Sequence, residues 1–109
     1  MPERVLMENL IYEVNEQKAR FMEFLLEGDE QENMIMRYLD RGRLFVLDDK
    51  GPKVVCVVTD EGNGVLEIKN IATRASHRCK GYAKRMIHHL EQFFSGIFML
   101  FMLALGILH

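Results

Sequence analysis

The stretch LEIKNIATRASHRCKGYAKRMIHHLEQFF, residues 66–94, contains a strand pattern, a basic loop and a helix pattern in direct succession. The strand pattern extends from Val65 to Thr73, where apolar and polar residues alternate. The helix pattern begins at Gly81, after which apolar residues recur at spacings of three and four. The local order is therefore strand, loop, helix, which is typical of an α/β fold.

The loop within SHRCKGYAKRM, residues 76–86, predicts an anion site at the start of the helix. A helix N-terminus exposes unpaired backbone N–H groups and the positive end of the helix dipole, so phosphates bind there when the backbone can come close. Gly81 permits that approach, and Ala83 leaves the next turn open. Positive charge around the site would come from Arg78, Lys80 and Lys84. A solvated loop with ordinary surface cations is the alternative interpretation.

The segments before this stretch alternate between strand and helix. A first strand is expected between Val5 and Val14. NEQKARFMEFLLEG, residues 15–28, places apolar residues on one helical face, and Asn15 and Gly28 are suited to the start and end of a helix.

A second helix and a hairpin are predicted next. Asp29 and Glu32 have capping-box spacing, which predicts a helix from Asp29 to Arg41 that Gly42 ends. RLFVLDD, residues 43–49, and KVVCVVT, residues 53–59, are strand patterns around a turn and are expected to pair. The unbroken apolar run in the second of them predicts burial on both faces.

The strand from Val65 to Thr73 is predicted to have two different faces, because side chains alternate along a strand. One face is expected to contain Leu66, Ile68 and Asn70. The other is expected to contain Glu67, Lys69 and Ile71.

Composition limits the classes of function. The chain has 109 residues and a net charge of -2, which predicts one domain and argues against non-specific affinity for nucleic acid. Cys56 and Cys79 are far apart and lack CxxC spacing, so neither a disulfide framework nor a zinc site is indicated, and no metal is expected. The N-terminus has no signal-peptide core, which favours the cytoplasm.

The strand, loop and helix together resemble the centre of the GNAT superfamily of acetyl-CoA-dependent N-acetyltransferases. The loop motif of that family is Arg or Gln, two residues, Gly, one residue, and Gly or Ala, and it is matched by Arg78, Gly81 and Ala83. The resemblance extends from about Leu10 to Phe94 and is strongest in the last third of that span. It implies an α/β fold with a mixed sheet flanked by helices, and transfer of an acetyl group from acetyl-CoA to an amine.

The resemblance also implies the site residues. The backbone of the segment Ile71, Ala72 and Thr73 would bond the pantetheine arm of acetyl-CoA, and the Ile71 N–H would polarise the thioester carbonyl. The pyrophosphate would be cradled by Arg78, Cys79, Lys80, Gly81, Tyr82, Ala83 and Lys84.

Glu67 and Cys79 each allow two interpretations. Glu67 occupies a position at which some GNAT enzymes have the general base that deprotonates the amine, but a solvated strand glutamate is the alternative. Cys79 lies between two cations and is expected to be more reactive than Cys56. A plain small loop residue is the alternative for Cys79.

The tail SGIFMLFMLALGILH, residues 95–109, is almost entirely apolar and too short to span a membrane. It stands where the family has further strands and a helix, so residues 1–94 are interpreted as the N-terminal part of a truncated GNAT-like domain. The tail is predicted to replace the fifth strand, parallel to residues 65–73, with a helical continuation as the alternative. A shifted reading frame is one hypothesis for its origin, and the coding DNA would test it.

Three functions follow from these patterns. The first is N-acetyl transfer from acetyl-CoA to an amine, although the segments that select the acceptor are missing. The second is a catalytically silent CoA-binding or self-associating module, because an unpaired sheet edge and an apolar tail favour a homo-oligomer. The third is a basic-loop binder of anions or nucleic acid, which the net charge disfavours. Neither a nucleic acid nor a membrane is therefore expected as a partner.

Overall fold

The structure, a computed structural model, describes residues 10–94 and 98–100. Its centre is one five-stranded sheet whose strands lie in chain order. The strands are β1 Leu10–Val14, β2 Arg43–Asp48, β3 Pro52–Gly62, β4 Val65–Thr73 and β5 Phe98–Leu100. The first four pair antiparallel, and β5 pairs parallel to β4. The mixed sheet is therefore of the kind that the sequence predicted, although the residues Val5 to Asn9 of the expected first strand lie outside the described part.

Helices cover both faces of the sheet. They are α1 Met22–Leu25, which a 3-10 turn at Lys18–Phe21 precedes, α2 Glu32–Leu39 and α3 Tyr82–Phe93. On one face α3 packs Met86 and Leu90 against β2, β3 and β4, and on the other α1 and α2 pack Leu25 and Ile35 against the same strands. Val54 through Thr59 of β3 are buried throughout, which confirms the prediction of burial on both faces.

The predicted faces of β4 are wrong beyond Ile68. Ile68 pairs with Val58 and Asn70 pairs with Val57, so Lys69 is an extra residue in β4, a β-bulge. Because side chains alternate with a period of two, one extra residue exchanges the two faces of everything that follows. Ile71 therefore joins Leu66 and Ile68 in the core beneath α3, and Asn70 turns toward α1 and α2.

Asn70 is fully buried and connects β4 to both helices on its face. Its Nδ2 donates to the carbonyl oxygen of Leu25 at 2.9 Å and to the hydroxyl oxygen of Tyr38 at 3.0 Å. The Tyr38 hydroxyl donates in turn to Asp29 Oδ2 at 3.2 Å, and burial raises the pKa of Tyr38 to about 12. A Cβ on Gly28 would overlap Asn70 Oδ1, so only glycine fits at this position.

The two predicted helix caps are wrong. Gln17, in the left-handed region at φ 55°, precedes the 3-10 turn, so Asn15 lies too early to cap it. Gln31 precedes α2, and no side chain caps that helix. Asp29 instead accepts hydrogen bonds from the Gln31 N–H and the Tyr38 hydroxyl. These two donors engage the Asp29 carboxylate in place of the capping-box contact that the sequence predicted.

The edge of β4 is covered over only part of its length. Residues Phe98–Leu100 of the apolar tail form β5, which pairs with Val65, Leu66 and Glu67. This is the parallel arrangement that the sequence favoured, and the remaining tail residues lie outside the described part. Within residues 10–94 and 98–100, no strand pairs with that edge of β4 from Ile68 to Thr73. In the described part of the chain, this half of β4 is therefore an open edge of the sheet.

Candidate functional site

A cavity of about 710 Å³ lies between the open end of β4, the end of α1 and the start of α3. It is lined by Glu27, Gly28, Ile71, Ala72, Thr73, His77, Arg78, Cys79, Gly81, Tyr82, Ala83, Lys84 and Ile87. All the residues that the resemblance assigned to the cofactor line this cavity except Lys80, which is exposed nearby. Residues from two segments far apart in sequence thus meet in one cleft.

The start of α3 exposes backbone donors to this cavity. Gly81 is the residue before the helix and lies in the left-handed region at φ 82°, and no side chain caps the helix. The first hydrogen bond of the helix is donated by the Arg85 N–H to the Gly81 carbonyl at 3.0 Å. The N–H groups of the first turn therefore have no acceptor within the helix. No acidic residue lies in that turn, so the positive end of the dipole is not compensated there.

Tyr82 connects the start of α3 to the β2–β3 hairpin. Its hydroxyl donates to Asp49 Oδ2 at 2.9 Å, and this hydrogen bond raises the pKa of Tyr82. The ring of His77 meets the Tyr82 ring edge-on, with 6.2 Å between centroids. The hairpin thus fixes one side of the basic loop.

Arg78 connects the loop to the opposite side of the cavity. Its Nε donates to the Thr73 carbonyl at 3.2 Å, and its Nη2 donates to Glu27 Oε1 at 3.1 Å. The guanidinium of Arg78 is therefore engaged by protein groups. Sequence reasoning missed Glu27 and Gly28, because only the packing of α1 against Asn70 brings them to this cavity.

Glu67 is not among the residues that line the cavity. It pairs with Thr59 of β3 and Leu100 of β5, and its Oε1 lies 3.1 Å from Lys69 Nζ. Ile71 lies four positions further along β4, which corresponds to roughly 13 Å of extended strand. A carboxylate at this distance would reach the cavity end of β4 only through intervening water.

The two cysteines lie in different surroundings. Cys56 is fully buried beneath α3, and burial raises the pKa of its thiol. Cys79 is exposed in the basic loop, in the left-handed region at φ 65°. Cys79 is the accessible thiol of the pair.

A thiol reagent is expected to label Cys79 on the order of 10³-fold faster than Cys56, since Cys56 reacts only when the core opens. Mass spectrometry of the folded protein at successive times would measure both rates. In the Cys79→Ala variant the fast phase should disappear while the slow phase remains. Equal rates at the two thiols would contradict the burial of Cys56.

The described part of the chain contains neither a cluster of metal-ligating side chains nor a membrane-spanning helix. Among residues 10–94 and 98–100, no group of three or more His, Cys, Asp or Glu side chains could hold a metal ion. None of the helices described here has the length and apolar character needed to cross a membrane.

Comparison with known proteins shows the family of the chain. Residues 9–100 match the family model described as Acetyltransferase (GNAT) family. The chain belongs to the GNAT acetyltransferase family. Its GNAT loop motif, Arg78, Gly81 and Ala83, is the segment that lines the cavity at the start of α3. No curated protein matches the chain in sequence.

Solved structures of GNAT proteins share the fold. An IAA acetyltransferase from Bacillus cereus is 27% identical, with a TM-score of 0.72 over 80% of this chain and 58% of its own. A GNAT acetyltransferase from Elizabethkingia anophelis with acetyl-CoA bound is 20% identical, with a TM-score of 0.71 over 77% of this chain and 56% of its own. A Bacillus subtilis acetyltransferase in complex with CoA is 22% identical, with a TM-score of 0.68 over 81% of this chain and 61% of its own. The chain therefore spans less than two thirds of the length of these GNAT proteins.

Proposed function

We propose that this GNAT chain binds acetyl-CoA in the cavity between β4 and α3 and transfers the acetyl group to an amine. The observation that carries the proposal is the start of α3. There a left-handed glycine precedes a helix without a side-chain cap, in the same cavity as the open edge of β4. Family membership and the two neighbours that contain acetyl-CoA or CoA support it.

The pyrophosphate fits the start of α3. Backbone N–H groups of the first helical turn are strong donors for phosphate oxygens, and glycine lets the phosphate approach the backbone. Lys84 lines the same cavity and adds positive charge. The start of α3 therefore supplies both hydrogen-bond donors and positive potential.

The pantetheine arm fits the open edge of β4. It is an extended chain with two amides, and an extended chain can bond to an exposed strand edge as an added strand does. Ile71 and Thr73 lie on the part of β4 that no described strand covers on that side, and both line the cavity. The cavity volume is within the range usual for sites that enclose a ligand of this size.

The transfer step uses the thioester as an activated acyl donor. The neutral amine attacks the acetyl carbonyl carbon, the new N–C bond forms and the S–C bond breaks, and the electron pair leaves with the CoA sulfur. The Ile71 N–H would stabilise negative charge on the carbonyl oxygen. The proton lost by the amine would pass through water to Glu67, which acts as general base in this proposal.

A catalytically silent CoA-binding module is the second candidate. It is favoured by the position of Glu67, which is ion-paired with Lys69 and lies outside the cavity lining. Calorimetric titration with acetyl-CoA tests binding, and mass spectrometry of a mixture of amines after incubation with acetyl-CoA tests transfer. Binding with acetylated amine supports the enzyme, binding without it supports the silent module, and no binding overturns both.

We also propose that the chain associates with itself. The tail, residues 95–109, is almost entirely apolar, and an apolar segment of this length favours association with another chain. Light scattering at micromolar concentration is therefore expected to give a mass above that of the 12.7 kDa monomer. A monomeric mass over that range would contradict this proposal and leave the cofactor site unaffected.

A further inference from the structure

An ion pair crosses one side of the cofactor cavity. Glu27 follows α1 and Arg78 lies in the basic loop, 51 residues later, and their side chains meet at 3.1 Å. Both side chains are partly exposed, Arg78 at 52% and Glu27 at 39%. The same guanidinium also donates to the Thr73 carbonyl at the end of β4. Arg78 therefore joins three segments around the cavity mouth.

We propose, on the basis of the proposed function, that Glu27 is a positioning residue for the cofactor loop. Glu27 acts through Arg78, and the pair holds the loop in the conformation that presents the first turn of α3 to the pyrophosphate. Arg78 is accordingly a tether of the loop, and its guanidinium is not a phosphate ligand. The phosphate is bound by the backbone at the start of α3.

The conformation of the loop explains why a tether is needed. Cys79 and Gly81 both lie in the left-handed region, at φ 65° and 82°, and a non-glycine residue occupies that region at an energetic cost. A short strained loop keeps such a conformation only when surrounding contacts hold it. Tyr82 holds the α3 side through Asp49, and Arg78 holds the β4 side through Glu27 and Thr73.

The decisive variant is Glu27→Gln. Its expected effect on CoA affinity differs according to whether Arg78 tethers the loop or binds phosphate directly. If the pair positions the loop, this change weakens the tether, and the Kd for CoA rises about three- to tenfold. If the guanidinium binds phosphate directly, the change releases it and removes a nearby negative charge, so affinity is unchanged or higher. An exposed ion pair contributes little to global stability, so the variant should melt close to the unsubstituted chain.

Glu30→Gln is the matched control. Glu30 is exposed in the same acidic segment, and it is not among the residues that line the cavity. Its substitution changes net charge equally, and its effect on CoA affinity is subtracted from that of Glu27→Gln. The double variant Glu27→Gln/Arg78→Gln tests whether Glu27 acts through Arg78, because without the guanidinium Glu27 has no group to position. It should therefore bind CoA no more weakly than Arg78→Gln alone. Weaker binding in the double variant would overturn a role of Glu27 through Arg78.

A second measurement does not depend on the cofactor. Release of the loop should accelerate hydrogen exchange of the His77 amide, which donates to the Arg74 carbonyl at 2.8 Å, about threefold in Glu27→Gln, with no change in Glu30→Gln. If the unsubstituted chain binds no CoA, the proposed function fails, and this exchange ratio alone decides the positioning role. Unchanged exchange together with unchanged or tighter CoA binding would show that Glu27 does not order the loop.

Discussion

Replacing Gly81 with aspartate is expected to raise the Kd for acetyl-CoA by at least about 100-fold. Gly81 precedes α3 at φ 82°, and the cavity receives the positive end of that helix. An aspartate there would accept hydrogen bonds from the first-turn N–H groups that the pyrophosphate needs, and would repel the phosphates by charge. The measurement is a calorimetric titration of both chains with acetyl-CoA.

The chain offers a matched control in Gly64. Gly64 is also left-handed, at φ 75°, and a Cβ at either glycine would have nothing within 4 Å. Gly64→Asp therefore imposes similar backbone strain and the same charge in the β3–β4 turn, away from the cavity. Binding should be retained in Gly64→Asp and lost in Gly81→Asp. Loss in both would indicate strain alone, and retention in both would contradict a phosphate site at the start of α3.

The elements that the sequence predicted correctly are those determined by residues within the same segment. The alternation in residues 43–59 and the apolar run of β3 require only a period of two and a turn, so the hairpin was predictable. The loop motif was also recognisable from neighbouring residues alone, because Gly81 directly precedes α3 and Ala83 lies in its first turn. The mixed sheet therefore agrees with the prediction, and the helix begins after Gly81 as expected.

The bulge in β4 could not be predicted from local alternation. Whether Lys69 is an extra residue depends on how β4 pairs with Val57 and Val58 of β3. The pairing moves Asn70 to the other face, and Asn70 then connects β4 to the end of α1. The ion pair between Glu27 and Arg78 depends on this connection. Because Glu27 and Arg78 are 51 residues apart, neither segment contains a sequence pattern that predicts their ion pair.

Replacing Asn70 with aspartate is expected to destabilise the fold by about 3–5 kcal/mol at pH 8. Asn70 is fully buried, and its Nδ2 donates to the Leu25 carbonyl and the Tyr38 hydroxyl. An aspartate carboxylate has no donor, so it would face the Leu25 carbonyl oxygen as a buried, repelled charge. Urea unfolding of the variant and the unsubstituted chain would measure the difference.

The destabilisation caused by Asn70→Asp is expected to increase with pH. Burial would raise the folded-state pKa of the new carboxyl above its unfolded value of about 3.9, so the folded state binds the proton more tightly. The variant is then least destabilised below that unfolded value and loses stability as pH rises through the folded pKa. The gap between variant and unsubstituted chain should therefore be smaller at pH 5 than at pH 8.

Asn63→Asp makes the same chemical change in the exposed β3–β4 turn, and it should alter stability by less than about 0.5 kcal/mol at either pH. If Asn70→Asp behaved like Asn63→Asp, the carboxylate would have found water or donors, and Asn70 would not be the anchor between β4 and α1. If it is strongly destabilised only above pH 5, the amide donor at position 70 is what keeps the bulged strand against α1. The position of Glu27 beside Arg78 at the cofactor cavity then depends on that donor, because Gly28 follows Glu27 and packs directly against the Asn70 side chain.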